Sequence, residues 1–166
     1  CGRMGRRILE MTIEAEDTAI GGAFDSPDNA GSELIVGGDS GQAQTLIVGG
    51  DAKTEIGNSD AMIDFTFADV CLANIRACAE LGVPAIIGTT GLSPEQTAEV
   101  AALSKKIPII HAPNMSVGVN LLFKITQEVA ATLGLDYNCE IVEMHHNQKK
   151  DAPSGTAVRL AECAAK

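Results

Sequence analysis

The stretch PAIIGTTGLSPEQTAEVAALSKKIPIIHAPN, residues 84–114, decides the fold. It opens on a short apolar run, 84–91, that ends in a tight Gly-Thr-Thr-Gly turn. A helix start follows with several agreeing signals. Ser93 stands at the N-cap, Pro94 at the first helical position, and Gln96 is placed to complete a capping box. A second apolar run, IPIIHAPN (107–114), comes after the helix. Short apolar strands alternating with helices build βαβ units, and so predict a parallel sheet covered on both faces.

The same grammar extends upstream. AMIDFT (61–66) reads as a short, apolar strand. Residues 68–81 read as a helix with Val70, Ala73, Ala77 and Leu81 on its buried side and Gly82 as its stop. Residues 26–60 are rich in Gly, Asp, Ser and Asn and read mostly as loop. Within them LIVGGD occurs at 34–39 and again at 46–51. A duplication making two short strands and a coincidence in a glycine-rich loop are both open. TAIGGAFD (18–25) reads as a strand ending in an acid, and 3–16 as a helix on the spacing of Met4, Ile8, Met11 and Ala15.

Downstream the pattern changes at Asn114. MSVGVNLLFKITQEVAATLGL (115–135) predicts a long amphipathic helix. NCEIVEMHH (138–146) alternates apolar and polar residues, which predicts a strand with one covered face. SGTAVRLAECAAK starts a further helix. The expected architecture is α/β: a parallel-sheet domain over 1–115, then the start of an α+β domain over 116–166.

Composition bounds the function. The chain has 166 residues, 45% of them hydrophobic, and a net charge of −10. Such a chain packs as a globule, and its acidity argues against nucleic-acid or anionic-membrane partners. No apolar run approaches the roughly 20 residues that span a bilayer. CGRMGRRI (1–8) has no apolar run behind its arginines, so no signal peptide is expected. The five cysteines are odd in number and form no CxxC. Cys71 and Cys78 share one helix face, as two small buried apolar residues would. A reducing compartment, cytoplasmic or stromal, fits best. The chain begins at Cys1 and stops within a helical pattern, and we expect a fragment with material missing at both ends.

Two regions carry chemistry. Gly2 and Gly5 stand at the mouth of a helix, where glycines let backbone N–H groups approach a pyrophosphate. Asp25 closes a strand about 20 residues on, where a ribose hydroxyl needs an acceptor. Phe65-Thr66 and Gly88-Thr89-Thr90-Gly91 end two strands, at the sheet edge where ligands bind. The plain alternative is a glycine cap and a solvated aspartate. The second region is EMHHNQKKDAPSGTA (143–157). Ser154-Gly155-Thr156 opens a helix and supplies backbone amides and hydroxyls to an anion. Lys149 and Lys150 add positive charge, and His145 and His146 exchange protons near neutral pH. The plain alternative is a solvated basic loop. Adjacent histidines on a strand point to opposite faces, and HExxH and cysteine clusters are lacking, so no metal is expected. A serine nucleophile would want a GxSxG elbow, which is missing.

GRMGR, DFT, GTTG, APNMSVGVN and EMHHNQKKDAPSGTA occur in this order along the chain. Together they closely resemble the dihydrodipicolinate (4-hydroxy-tetrahydrodipicolinate) reductase family of lysine and diaminopimelate biosynthesis. HHNQKKDAPSGTA resembles the family signature HHxxKxDAPSGTA at every defined position.

The resemblance implies an NADH- or NADPH-dependent reductase acting on a small cyclic dicarboxylate. It implies a Rossmann-like domain followed by an open-sheet domain that binds substrate and builds a homotetramer. Gly2, Arg3, Met4 and Gly5 match the cofactor loop, Asp25 the acid at the adenosine ribose, and Phe65, Thr66, Gly88, Thr89 and Thr90 the strand ends at the cofactor. Ala112, Pro113, Asn114 and Met115 match the hinge that touches the cofactor. His145 and Lys149 match the proton-transfer residues, and His146, Ser154, Gly155 and Thr156 the substrate-carboxylate contacts.

The chain departs from the family pattern in lacking the first strand, the first glycine of the cofactor loop and the rest of the second domain. Ser26 follows Asp25 where some members place an arginine for a 2′-phosphate, so NADH is expected to serve at least as well as NADPH. Two other readings stand beside the reductase: another Rossmann dehydrogenase acting on an aspartate-derived substrate, and a truncated nucleotide-binding fragment without turnover.

Overall fold

A computed structural model describes residues 1–37, 43–147 and 152–165. Contacts divide the chain into two units, Cys1–His111 and Ala112–Lys166.

The first unit is α/β. Strands β3 (Met62–Asp64), β4 (Ala85–Ile87) and β5 (Ile109–His111) form a parallel sheet in that order. Met62 pairs with Ala85 and Ala85 with Ile109, so the strands run level. Helix α3 (Ala68–Leu81) joins β3 to β4, and α4 (Pro94–Leu103) joins β4 to β5. Both connections step the same way across the sheet. Right-handed crossovers then place both helices on one face. That face holds the core, where Ile56, Cys71, Ile75, Cys78 and Ile87 are almost wholly buried. Each fully buried isoleucine stabilises the fold by about 1.5–3 kcal/mol. The opposite face corrects the expectation of a sheet covered twice: Ile63 is 45% exposed and Ile110 is 59% exposed.

Helix boundaries follow the local signals. Ser93 accepts from the Gln96 N–H at 3.2 Å, and the Gln96 side chain accepts from the Ser93 N–H at 2.8 Å, closing the capping box. Gly82 ends α3 in the left-handed region, at φ 75°, with its N–H on the Cys78 carbonyl. The buried face of α3, however, is rotated from the expected one. Cys71, Leu72, Asn74, Ile75, Ala77 and Cys78 point inward, whereas Val70 and Leu81 are exposed. Ala77 alone belongs to both stripes.

Ahead of the sheet lies a smaller layer. Strands β1 (Glu33–Val36) and β2 (Gln44–Ile47) pair antiparallel, with Leu34 opposite Leu46. The repeated Leu-Ile-Val runs thus supply the two strands of one ribbon. Leu34 and Val36 pack inward with Leu9, Ala23 and Val48. Leu9 comes from α1 (Arg3–Glu14), whose buried stripe runs through Leu9 and Ile13, while Met4 and Met11 are exposed. Two further expectations change here. The 18–25 run makes only a single parallel bridge, Phe24 with Gly49, because the partner run turns at Asp51 into helix α2 (Ala52–Gly57). That helix lies in the stretch expected to be loop. Asp51 caps it by accepting from the N–H groups of Lys53 and Thr54.

The second unit pairs helix α5 (Val117–Leu133), capped by Ser116, with helix α6 (Gly155–Ala164), capped by Ser154. Between them, residues 138–146 form no strand. A strand requires a laddering neighbour, and among the described residues this unit contains no other strand. Val142 and Met144 are accordingly exposed.

Candidate active site

The first unit brings the glycine loop and the acid together. Gly2 is the N-cap of α1 in extended backbone, without a side-chain cap, and the first turn of the helix has no acidic residue. The N–H groups of Arg3, Met4 and Gly5 open the helix ahead of its first intrahelical bond, from the Arg6 N–H to the Gly2 carbonyl. Asp25 follows the Phe24–Gly49 bridge, and one of its oxygens lies against the backbone nitrogen of Cys1, the residue before Gly2. The other accepts from the Ser26 N–H at 2.7 Å and the Asn29 amide at 3.2 Å. An anion-favouring helix start beside an acceptor carboxylate suits the pyrophosphate and ribose of a dinucleotide.

The ends of β3 and β4 form a second locus. Asp64, the last residue of β3, is 2% exposed. Its Oδ1 accepts from the Thr66 N–H at 2.9 Å, the Thr66 hydroxyl at 2.7 Å and the Thr89 hydroxyl at 2.7 Å. Its Oδ2 accepts from the Asn74 amide at 2.7 Å. The Phe65 ring lies against Gly88 so closely that a Cβ there would stand 2.0 Å from its Cε1. Phe65, Thr66, Gly88, Thr89 and Thr90 therefore meet at one edge. Thr66 and Thr90 are exposed, and Thr89 is buried with its hydroxyl turned inward to Asp64. Sequence reading missed Asp64 and Asn74. The available signal was an acid within an apolar strand, two residues before a threonine.

In the second unit, Asn114 organises its own segment. Its Oδ1 accepts from the Ser116 N–H at 2.9 Å, and its carbonyl accepts from the Asn120 amide at 2.9 Å. Its Nδ2 donates to the Thr156 hydroxyl at 3.4 Å. Ala112 is half-buried, and Pro113 and Met115 are exposed. At the start of α6 the Ser154 hydroxyl accepts from the Ala157 N–H at 3.1 Å. The Ser154 N–H donates to Glu143 Oε1 at 2.8 Å. Glu143 Oε2 lies 3.5 Å from Nδ1 of His145. Glu143 is thus a third residue that sequence reading passed over, although it begins the motif. Gly155 and Thr156 present the leading N–H groups of the helix, the positions that receive an anion. His146 is exposed. Lys149, with Lys150 and Asp151, lies outside the described residues. An apolar cleft of about 370 Å³ runs along α6 past Ile141, Pro153, Ala157 and Ala161. Glu143 reaches its wall, whereas His145 and the helix-opening amides lie elsewhere.

Among the described residues no three His, Cys, Asp or Glu side chains converge to hold a metal ion, and no helix is long and apolar enough to cross a membrane.

Comparison with known proteins agrees along the whole chain. The family model for the N-terminus of dihydrodipicolinate reductase matches residues 1–115, and that for its C-terminus matches residues 118–166. The chain is 44% identical over 170 residues to the 4-hydroxy-tetrahydrodipicolinate reductase of Magnetococcus marinus, and 48% over 169 residues to that of Geobacter metallireducens. In each case 99% of the chain aligns, and it spans 62% of the relative's length. A dipicolinate-bound dihydrodipicolinate reductase from Paenisporosarcina sp. TG-14 superposes with a TM-score of 0.74 at 29% identity, covering 99% of this chain and 62% of that one. A dinucleotide-suited helix start, a strand-end cradle and an anion-suited helix start thus coincide with end-to-end similarity, and the chain belongs to the dihydrodipicolinate reductase family.

Proposed function

We propose that this chain belongs to an NADH- or NADPH-dependent reductase that converts 4-hydroxy-tetrahydrodipicolinate to tetrahydrodipicolinate in lysine and diaminopimelate biosynthesis. The observation that carries the proposal is the start of α6, where the family's loop motif meets a helix N-terminus. Residues 1–115 form the dinucleotide-binding part and 116–166 the start of the substrate-binding and oligomerisation part. Gly2, Arg3, Met4 and Gly5 receive the pyrophosphate at the opening of α1. Asp25 accepts from the adenosine ribose. Phe65, Thr66, Gly88, Thr89 and Thr90, with the segment Ala112, Pro113, Asn114 and Met115, bound the nicotinamide half. A reduced nicotinamide, when bound, supplies the hydride.

The rest of the chemistry belongs to side chains and backbone amides. Gly155 and Thr156 N–H groups and the Thr156 hydroxyl grip a substrate carboxylate, with Ser154 and His146 beside them. Lys149 or His145 delivers the proton that accompanies loss of water. Because Ser26 and not an arginine follows Asp25, we infer that NADH serves at least as well as NADPH. A preference for NADPH above about tenfold in kcat/KM, some 1.4 kcal/mol, overturns this inference. The protein works in the cytoplasm as a homotetramer.

The test is NADH oxidation by the native gene product, with substrate generated in place from pyruvate and aspartate semialdehyde by the preceding synthase. Turnover that collapses in Lys149→Ala while NADH still binds supports the reading. A folded, NADH-binding wild type without turnover overturns it.

A further inference from the structure

We propose that Asp64 is a positioning residue that holds the two strand-end turns, 65–66 and 88–90, as one surface for the nicotinamide half of the dinucleotide. The proposal rests on the reading that these turns face that half.

Three observations carry it. The first is where the carboxylate sits: at 2% exposure, among residues such as Met62 and Ile87 that pack without polar groups. A carboxylate there loses its hydration, and an aliphatic side chain would serve the core as well or better. The second is its set of partners. Three donors on Oδ1 and one on Oδ2 come from three elements: the turn after β3, the turn after β4, and the buried face of α3. All four are neutral, so the arrangement is a clamp and not an ion pair. The third is the backbone beside it. Asp64 pairs with Ile87, and its carbonyl accepts from the Gly88 N–H at 2.9 Å. This register lays the Phe65 ring on Gly88. Backbone and side chain of one residue thus tie both turns together, and removing the side chain releases the Thr66 N–H and the Thr89 hydroxyl at once.

A merely structural carboxylate and a positioning one differ in what they move. The probes are NADH and ADP-ribose, which lacks the nicotinamide. In Asp64→Ala, NADH affinity falls about tenfold or more relative to ADP-ribose affinity. In Asp64→Asn the ratio of the two stays near wild type, because the amide oxygen keeps the three Oδ1 bonds and Asn74 turns its own amide to meet the new N–H. Where Asp64→Ala does not fold, Thr89→Val removes one donor from Oδ1 and moves the ratio in the same direction by a smaller factor. An unchanged ratio in Asp64→Ala or Thr89→Val overturns the proposal, as does a loss in Asp64→Asn equal to that in Asp64→Ala. Phe65→Ala distinguishes a failed clamp from turns that do not face the nicotinamide. If it leaves NADH binding intact, the turns do not face the nicotinamide and the underlying reading fails. If it weakens NADH binding while the Asp64 variants do not, only the clamp fails.

Discussion

The backbone N–H of Ser154 donates to Oε1 of Glu143 at 2.8 Å. Glu143 therefore holds the residue that caps α6, while its other oxygen lies 3.5 Å from Nδ1 of His145. One carboxylate sets both the start of α6 and the ring beside it. Glu143→Gln keeps an acceptor for Ser154 and loses the charge facing His145. Glu143→Ala loses both, and we expect it to destabilise the fold by about 1–3 kcal/mol, while Glu143→Gln stays near wild type in stability. Under the proposed reaction, kcat/KM falls roughly tenfold in the glutamine variant and further in the alanine variant. Urea unfolding and steady-state kinetics on the two variants decide the matter. An alanine variant with wild-type kinetics removes Glu143 from the site.

Gly88 leaves room for a ring and for little else. A Cβ there would stand 2.0 Å from Cε1 of Phe65 and 2.3 Å from its Cζ. Gly88→Ala must displace the ring, and we expect a destabilisation of about 1–3 kcal/mol together with weaker NADH binding. Phe65→Ala removes the obstacle, so the double variant should cost less than the two single changes added. Strict additivity across the cycle shows that the two positions do not meet.

Capping at α4 gives a test confined to stability. Ser93→Ala removes the acceptor for the Gln96 N–H and should cost about 1 kcal/mol, read as a lower urea midpoint with an unchanged slope. The cap lies at the far end of the GTTG loop from Gly88, and NADH affinity should stay at the wild-type value. A change in affinity without a change in midpoint contradicts this reading.

What the sequence made legible was set by the range of the interactions. The capping box joins residues three positions apart, and α4 starts where Ser93 and Pro94 indicate. Parallel strands followed from apolar runs alternating with capped helices. The phase of α3 did not follow, because Val70, Cys71, Leu72, Ala73, Ile75, Ala77 and Cys78 make the helix apolar on most sides, and two stripes fit its spacing equally well. Asn74 lies on the buried face through its bond to Asp64, a partner that helical periodicity cannot show. Residues 138–146 alternate as a strand does, but alternation names no neighbour to complete a ladder. Asp64 and Glu143 escaped notice for a related reason. Thr89 meets Asp64 from 25 residues away, and Ser154 meets Glu143 from 11.

Cys71 and Cys78 give the fold a pH dependence. Both are fully buried. Burial first, and the Asp64 charge second, push the Cys71 thiol up from 9.0 to about 12 and the Cys78 thiol up to about 11. The fold therefore holds the neutral thiols more tightly than the unfolded chain does. Their contribution to stability is fully present below about pH 9 and declines as pH rises from there through 11 and toward 12. Unfolding free energies measured at pH 8 and pH 10 should fall across that interval, and the fall should be smaller in a Cys71→Ala, Cys78→Ala double variant. Reactivity gives an independent reading. At pH 8 iodoacetamide should label exposed Cys139 in the native protein, while Cys71 and Cys78, depleted in thiolate, label only after unfolding. Rapid native labelling of Cys71, or equal pH slopes in the wild type and the double variant, contradicts the buried, neutral state assigned to these thiols.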